Sequence, residues 1–305
     1  MDTGRRSSPL VSIGLPVYNG EKYLEESVRS MLSQTLDDFE LIICDNCSTD
    51  RTYEICKEFA CSDSRIRLYR NESNIGVARN HNRTFELSTG KYFRWAACDD
   101  ICAPELLEKC VRTIDANPDV VLCYFWFFRI FEIGAGGQVL VKPLEGTETN
   151  PSRRFRSVSD HGHACEQAYG LFRSEYLRNM RLLRNYTDSD RTMLSELSLR
   201  GRFFVVPEPL FYKRFHAENN YRNRSVKMIT FDEAYRDKVV FPYVIQFFDQ
   251  LSTIKRVPLP LGEKLKCYGV MMGWPLRARY RLAKEFLIAG QTIFRRLVRR
   301  DPLPS

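Results

Sequence analysis

Three short polar clusters, each closing an apolar run, constrain the fold of this chain more than any other feature. Tyr18-Asn19 follows residues 10–16, Asp45-Asn46 follows residues 39–44, and Asp99-Asp100 follows the apolar-aromatic run 92–98. Each run has the length of a buried strand, and helical spacing fills the intervals. Pro16 and the turn-forming Asn19-Gly20 are expected to stop the first strand. From Glu21 onward, Leu24, Val28, Met31 and Leu32 define one apolar helical face. Residues 45–50 are cap and turn formers, and the next helix turns Ile55 and Phe59 inward. A short strand at 66–69, a helix over 77–87, the strand ending in Asp99-Asp100, and a helix over 104–117 complete the alternation. Pro104 falls where a first turn tolerates proline. Strand-helix-strand repetition with short connections predicts an α/β fold with a parallel sheet covered on both faces. Ligands of such sheets sit outside the carboxyl ends of the strands, where all three polar clusters fall.

Asp99-Asp100 is the most chemically loaded of the three. Adjacent carboxylates repel each other, and neither is buried without a cation or hydrogen-bond donors. Hard Mg²⁺ or Mn²⁺ resolves the conflict, because it takes carboxylate and diphosphate oxygens together. An isolated Asp-Asp in a loop is more often a helix cap, so its two companion clusters carry the functional reading. No GxGxxG follows the first strand and no GxxxxGK[ST] occurs, which disfavours dinucleotide-binding and P-loop domains.

At 305 residues the chain can bury one large core, or one core with a small appended subdomain. Its net charge of +8 favours a polyanionic partner such as nucleic acid, an anionic membrane or a phosphorylated substrate. Of the ten cysteines only Cys44 and Cys47 have CxxC spacing, and no second such pair or metal-finger spacing accompanies them. With no apolar signal region after Met1, they suggest a reduced, cytoplasmic protein. The longest apolar run, 120–128, is too short for the roughly 20 residues of a membrane span and reads as a core strand.

Four successive segments resemble the motifs of glycosyltransferase family 2 in the order that family uses. They are Pro16-Val17-Tyr18-Asn19-Gly20, Asp45-Asn46-Cys47-Ser48-Thr49-Asp50, Asn74-Ile75-Gly76-Val77-Ala78-Arg79-Asn80, and Asp99-Asp100. The resemblance covers about residues 8–120 specifically and continues more weakly to about 216. It implies a GT-A fold, with a Rossmann-like nucleotide-sugar-binding sheet and helices on both faces. It also implies inverting transfer from a nucleotide-diphospho-sugar, usually UDP- or dTDP-linked, with Mg²⁺ or Mn²⁺. Carried over by position, Pro16, Tyr18, Asn19 and Glu21 line the base and ribose pocket, and Asp45 meets the pyrimidine edge. Arg79 reaches the base or diphosphate, with Asn74 and Gly76 shaping its loop. The metal motif of the family is often Asp-x-Asp; here Ala97 stands at the first position. Asp99 is therefore assigned to a ribose or metal contact and Asp100 to the metal.

The same resemblance places a general base at the start of a helix in the second half. Within Tyr186-Thr187-Asp188-Ser189-Asp190, Asp190 is the first choice and Asp188 the second. An acidic residue at a helix start is also favoured by capping and by the helix dipole. Strands are expected at 201–207 and 210–212. Lys213 and Arg214 would offset diphosphate charge, and His216 would complete the metal shell or contact the diphosphate. His161-Gly162-His163 lacks further ligands for zinc and reads as part of an acceptor loop. Beyond His216 the pattern is helical, from about 231 to 251 and from about 262 to 300. The last stretch sets Arg277, Arg279, Arg281, Lys284, Arg295, Arg296, Arg299 and Arg300 among apolar residues, as in a basic amphipathic segment on an anionic membrane. Packing on the catalytic domain with a solvated basic face is the alternative.

The expected organisation is a flexible start (1–8), a catalytic domain (9–216, with halves 9–120 and 121–216) and a helical, basic extension (217–305). The expected function is transfer of a sugar to a hydroxyl of a glycan or lipid-linked acceptor at the inner face of the plasma membrane, in envelope polysaccharide or glycolipid synthesis. A non-catalytic binding protein of this fold and a sugar nucleotidyltransferase are the rivals, the latter disfavoured by the missing Gly-rich start. A nucleic-acid partner is not expected, because the basic tail lacks the pattern of a recognised module.

Overall fold

The computed structural model describes residues 8–131, 138–141, 147–160, 165–216 and 239–299, with side chains to residue 294. His161, Gly162 and His163 lie outside these residues. Four parallel strands form the first half of one sheet: β1 (Val11–Val17), β2 (Phe39–Asp45), β3 (Ile66–Arg70) and β4 (Tyr92–Trp95). Every residue of β1 and β2 is buried, as near-continuous apolar strands covered on both faces should be. One face carries α1 (Glu21–Leu32), α2 (Thr52–Ser62) and α4 (Leu106–Ala116), whose Leu24, Val28, Cys56, Leu107 and Ile114 join the strand side chains in one core. On the other face lies α3 (Val77–Glu86), whose Phe85 packs with Phe93 and Trp95.

The sheet is mixed rather than wholly parallel. Its order is β3-β2-β1-β4-β8-β6-β9-β5, with β5 (Ile101–Cys102), β6 (Val120–Phe131), β8 (Leu171–Arg173) and β9 (Arg202–Phe215); β7 (Gln138–Val141) pairs with β6. β8 runs antiparallel between β4 and β6, whereas β6 and β9 are parallel. Pro16 does not end β1, which runs on to Val17. Pairing with β4 reaches only Gly14, so the missing N–H of Pro16 falls where that flank has no ladder. The strand before Asp99-Asp100 ends at Trp95, and residues 96–100 form a connection into β5. Arg94, within that apolar run, is fully buried and donates to Cys102 Sγ and the Tyr169 carbonyl. The two strands expected at 201–212 are one, because register irregularities opposite Phe125, Trp126 and Phe127 absorb Pro207 and Pro209.

α5 (Pro151–Ser159), α6 (Ser174–Arg178) and α7 (Ser189–Arg200) follow on the α3 face. From Ser189 to Leu199 every α7 residue except Asp190 is buried. A helix buried all round needs a second layer. That layer is α8 (Pro242–Arg256), α9 (Leu261–Met272), α10 (Trp274–Arg277) and α11 (Arg279–Arg299), which packs Ile254, Met271 and Trp274 against Phe155 and Leu199. The helix expected over 231–251 is α8, and residues 217–238 lie outside those described. The expected helix over 262–300 is three helices, since Pro275 fits only the first turn of a new one. Among the described residues, no helix is long and apolar enough to cross a membrane.

Candidate active site

The first two polar clusters are locked to each other at the carboxyl ends of β1 and β2. Asn19, at φ 49°, donates its backbone N–H to Ser48 Oγ (3.0 Å) and accepts from the Thr49 N–H (2.9 Å). Glu21 accepts from the Arg51 N–H at 2.9 Å, while its own N–H donates to Asp50 at 3.2 Å. Asn19 and Glu21 thus shape the loops that frame the pocket. Pro16 is buried opposite Cys44, whereas Tyr18 stands 46% exposed at the rim. Asp45 is fully buried, accepting from the Ser48 N–H at 3.2 Å and pairing with Arg70 Nε at 3.2 Å.

Arg70 is a site residue that sequence reasoning missed. It is the last residue of β3, one beyond the strand expected from the apolar run, and its guanidinium also donates to the Ser48 carbonyl and lies 4.3 Å from the Tyr53 ring. Asn71 and Asn80 were missed too, as was their pairing with Asn46 of the second cluster. Asn71 donates to Asn46 (2.8 Å) and Asn80 (2.9 Å), and Asn80 donates to the Cys44 carbonyl (2.9 Å). Two asparagines on connections and one in α3 reveal no pairing until the fold brings them together. Asn74 accepts from Asn46 at 2.7 Å and from the Gly76 N–H at 2.9 Å. Gly76 takes φ 84°, a conformation that favours glycine, and α3 starts after it. Arg79 is exposed in the first turn of α3, with no hydrogen-bond partner among the described residues. Beside it, Arg70, Asn71, Glu72, Ser73, Ile75 and Arg83 line a cleft of about 300 Å³.

The third cluster meets the end of β9. Antiparallel pairing of Ile101 with Tyr212 carries residues 99–100 alongside 213–214. Arg214 donates its N–H to Asp100 Oδ1 at 2.8 Å and its Nε to the Asp99 carbonyl at 2.9 Å. Its Nη2 reaches Glu26 at 2.5 Å. His216 Nε2 lies 3.2 Å from Asp99 Oδ2, its ring is 4.7 Å from that of Tyr23, and its Nδ1 is buried without a hydrogen-bond partner. Asp100 is only 3% exposed. Burial, and then the Asp99 charge, pushes its carboxyl up to about 7, against the Arg214 N–H and the Lys213 and Arg214 charges. Such a carboxylate is short of positive charge, and its hard oxygens suit Mg²⁺ or Mn²⁺. Among the described residues no three Asp, Glu, His or Cys groups are gathered as a closed metal cage. The residues fit an open shell that diphosphate oxygens would complete.

Asp190 opens α7 and accepts from the Arg191 N–H at 2.8 Å. Burial, and then the Asp188 charge, raises its carboxyl to about 6, while Arg191 and Lys213 act in the opposite direction. Asp188 is turned away, with its carboxylate 3.1 Å from Tyr243 OH and 3.3 Å from Arg281 Nη1. Lys213 is 3.7 Å from Glu166, and its charge is felt by both Asp100 and Asp190. One cation therefore acts on both carboxylate centres.

The chain belongs to glycosyltransferase family 2: the model of that family, "Glycosyl transferase family 2", matches residues 12–181. It is 38% identical over 133 residues to an uncharacterized glycosyltransferase of Methanocaldococcus jannaschii, a match that spans 43% of this chain and 46% of that protein. An uncharacterized glycosyltransferase of Haemophilus influenzae is 28% identical over 240 residues, 72% of each chain. The putative teichuronic acid biosynthesis glycosyltransferase TuaG of Bacillus subtilis is 39% identical over 101 residues, 33% of this chain and 40% of its own length. The chain thus matches less than half the length of some curated relatives. Among solved structures, S. aureus TarS 1-349 in complex with UDP-GlcNAc superposes with a TM-score of 0.65 at 17% identity, covering 88% of this chain and 72% of that one. The mannosyltransferase PcManGT of Pyrobaculum calidifontis, in complex with GDP-Man and Mn2+, gives 0.54 at 16% identity, covering 93% and 86%. At these identities the likeness establishes the GT-A fold.

Proposed function

We propose that this protein is an inverting glycosyltransferase that moves a sugar from a nucleotide-diphospho-sugar, UDP- or dTDP-linked, to a hydroxyl of a glycan or lipid-linked acceptor. The observation that carries the reading is the pairing of two carboxylate centres, both under the charge of Lys213: Asp99 with buried Asp100, suited to a cation and diphosphate, and Asp190, raised into the range of a general base. Residues 9–216 form the catalytic unit and the following helices an extension to it.

The nucleotide occupies the carboxyl ends of β1–β3. Asp45, fixed by Arg70 and the Ser48 N–H, receives the pyrimidine edge, Pro16 and Tyr18 flank the base and ribose, and Arg79 approaches the diphosphate. Asp99, Asp100 and His216 would hold Mg²⁺ or Mn²⁺, which would supply charge for the departing nucleotide diphosphate. Lys213 and Arg214 add fixed positive charge beside it. Asp190 accepts the proton of the acceptor hydroxyl as that oxygen forms its bond to the anomeric carbon and the bond to the diphosphate oxygen breaks. A carboxyl near 6 is ionised at neutral pH yet basic enough to take that proton.

Peripheral contact with an anionic membrane, through exposed Leu261, Leu265, Met272, Leu276 and Tyr280 beside Arg277 and Arg279, belongs to the same reading and suits a lipid-linked acceptor in envelope polysaccharide or glycolipid synthesis. The test is nucleotide-diphosphate release from UDP-, dTDP- and GDP-sugars with Mn²⁺, Mg²⁺ or EDTA. Metal-dependent release from one nucleotide class, abolished in Asp190→Asn, supports the proposal. Release from none of them refutes it.

A further inference from the structure

The carboxylate beside the proposed base does not do the ordinary work of its position. Asp188 occupies the N-cap of α7, where an aspartate usually accepts from the N–H groups of the first turn, yet it makes no side-chain capping bond. It sits instead at φ 65°, a left-handed conformation costing about 1 kcal/mol or more in a non-glycine residue. Both partners of its carboxylate come from the C-terminal helices: Tyr243 OH at 3.1 Å from α8 and Arg281 Nη1 at 3.3 Å from α11. These two donors are themselves 3.3 Å apart. Gln246 Nε2 holds the Asp188 carbonyl at 2.9 Å, and the Tyr243 N–H donates at 2.8 Å to Glu285, a buried residue of α11. Arg281 and Glu285 thus turn one side of α11 inward, while Tyr280, Phe286 and Leu287 leave the other exposed.

We propose that Tyr243 and Arg281 are positioning residues for the base: they fix Asp188 at the mouth of α7 and, through it, the Asp190 carboxylate. The C-terminal helical layer then forms part of the transfer site, and whatever surface its exposed side engages is mechanically tied to the base. The inference rests on the reading of Asp190 as base. The titratable and charged groups around Asp190 are Asp188 and Arg191 on its own segment, the neutral thiol of Cys165 before the short turn at 166–169, Lys213 on β9 with its partner Glu166, and Tyr243 and Arg281 on α8 and α11. Of these, Arg281 neutralises the charge that holds the Asp190 proton most strongly after burial. Removing it leaves Asp188 uncompensated, so Asp190 must become harder to ionise; replacing Asp188 by Asn must do the opposite.

The experiment is a ¹³C-carboxyl NMR titration of the full chain labelled at aspartate, with Asp190 assigned by its loss in Asp190→Asn. The midpoint near 6 should rise by about 0.5 pH unit or more in Arg281→Ala and in Tyr243→Phe, return towards the wild-type value in Arg281→Lys, and fall in Asp188→Asn. Amide exchange of residues 186–191 should accelerate in the first two variants. A purely structural role for Arg281 would lower melting temperature without moving the midpoint of the folded protein. An unchanged midpoint with unchanged exchange in Arg281→Ala overturns the proposal. Nucleotide-diphosphate release from the same donor panel separates the layers. Full release by Asp190→Asn removes the base reading underneath, whereas an inactive Asp190→Asn beside an unaltered Arg281→Ala removes the positioning role alone.

Discussion

Replacing Asp100 by Asn should stabilise the ligand-free protein at alkaline pH, although Asp100 belongs to the binding machinery. The carboxyl is 3% exposed and is raised from the ordinary 3.8 to about 7 by burial and by the Asp99 charge. A group that the fold makes harder to ionise opposes folding once it is ionised. Between the unfolded and folded values the native state binds the extra proton, so stability falls as pH climbs through that window. At about 1.4 kcal/mol per tenfold change, full ionisation costs about 4 kcal/mol. Asn keeps the acceptor for the Arg214 N–H at 2.8 Å but retains a buried dipole, so about 2 kcal/mol should be recovered at pH 8. For a chain of this size that corresponds to a melting temperature higher by about 3 °C. The assay is thermal unfolding in EDTA at pH 8, 6.5 and 5, comparing wild type with Asp100→Asn. The gap should shrink steadily towards pH 5, where the wild-type carboxyl is protonated. A variant less stable at pH 8, or a gap independent of pH, would refute the reasoning.

Asp190→Asn should lower kcat by about 10² to 10⁴ while leaving the donor Kd within about twofold, measured by nucleotide-diphosphate release and by titration calorimetry. With the base titrating near 6, kcat at saturating metal should fall about tenfold between pH 7 and pH 5, and a flat profile would contradict the assignment. Glu196, 1% exposed, accepts from Arg200 at 2.8 Å and Arg256 at 2.6 Å and so ties α7 to α8. Glu196→Ala should cost about 3 kcal/mol in urea unfolding, the low end for a broken buried pair because both arginines keep some solvent. Vesicles containing phosphatidylserine should sediment the protein in a salt-sensitive manner, and Leu265→Ser with Met272→Ser should weaken that binding at every salt concentration.

The half of the site nearest the N-terminus was legible because its residues are local. Asn19, Asp45 and Asp99-Asp100 each close an apolar run, and alternation alone puts such strand ends on one edge. Arg70, Asn71, Asn80 and their link to Asn46 were not, since the pairing depends on how elements 25 or more residues apart are set against each other for two of the bonds. The role of Asp188 was the least readable. An aspartate before a helix looks like a cap, and only the return of α8 and α11 shows its carboxylate aimed elsewhere. The mixed sheet was hidden for a related reason. Strands β6 and β9 carry apolar residues suited to either direction, and chain direction is decided by connections rather than by the strands themselves.

The central claim, a nucleotide-sugar site at the carboxyl ends of β1 to β4, is tested most directly by a thermal-shift panel of UDP-, dTDP-, GDP- and CMP-sugars with Mn²⁺, Mg²⁺ or EDTA. Ligands that bind only the native state raise its melting temperature. The account predicts stabilisation by UDP- or dTDP-sugars, enhanced by metal, with the metal-dependent part lost in Asp100→Ala and the whole shift reduced in Asp45→Ala. Folded protein that shows no shift with any donor at millimolar concentration would contradict it.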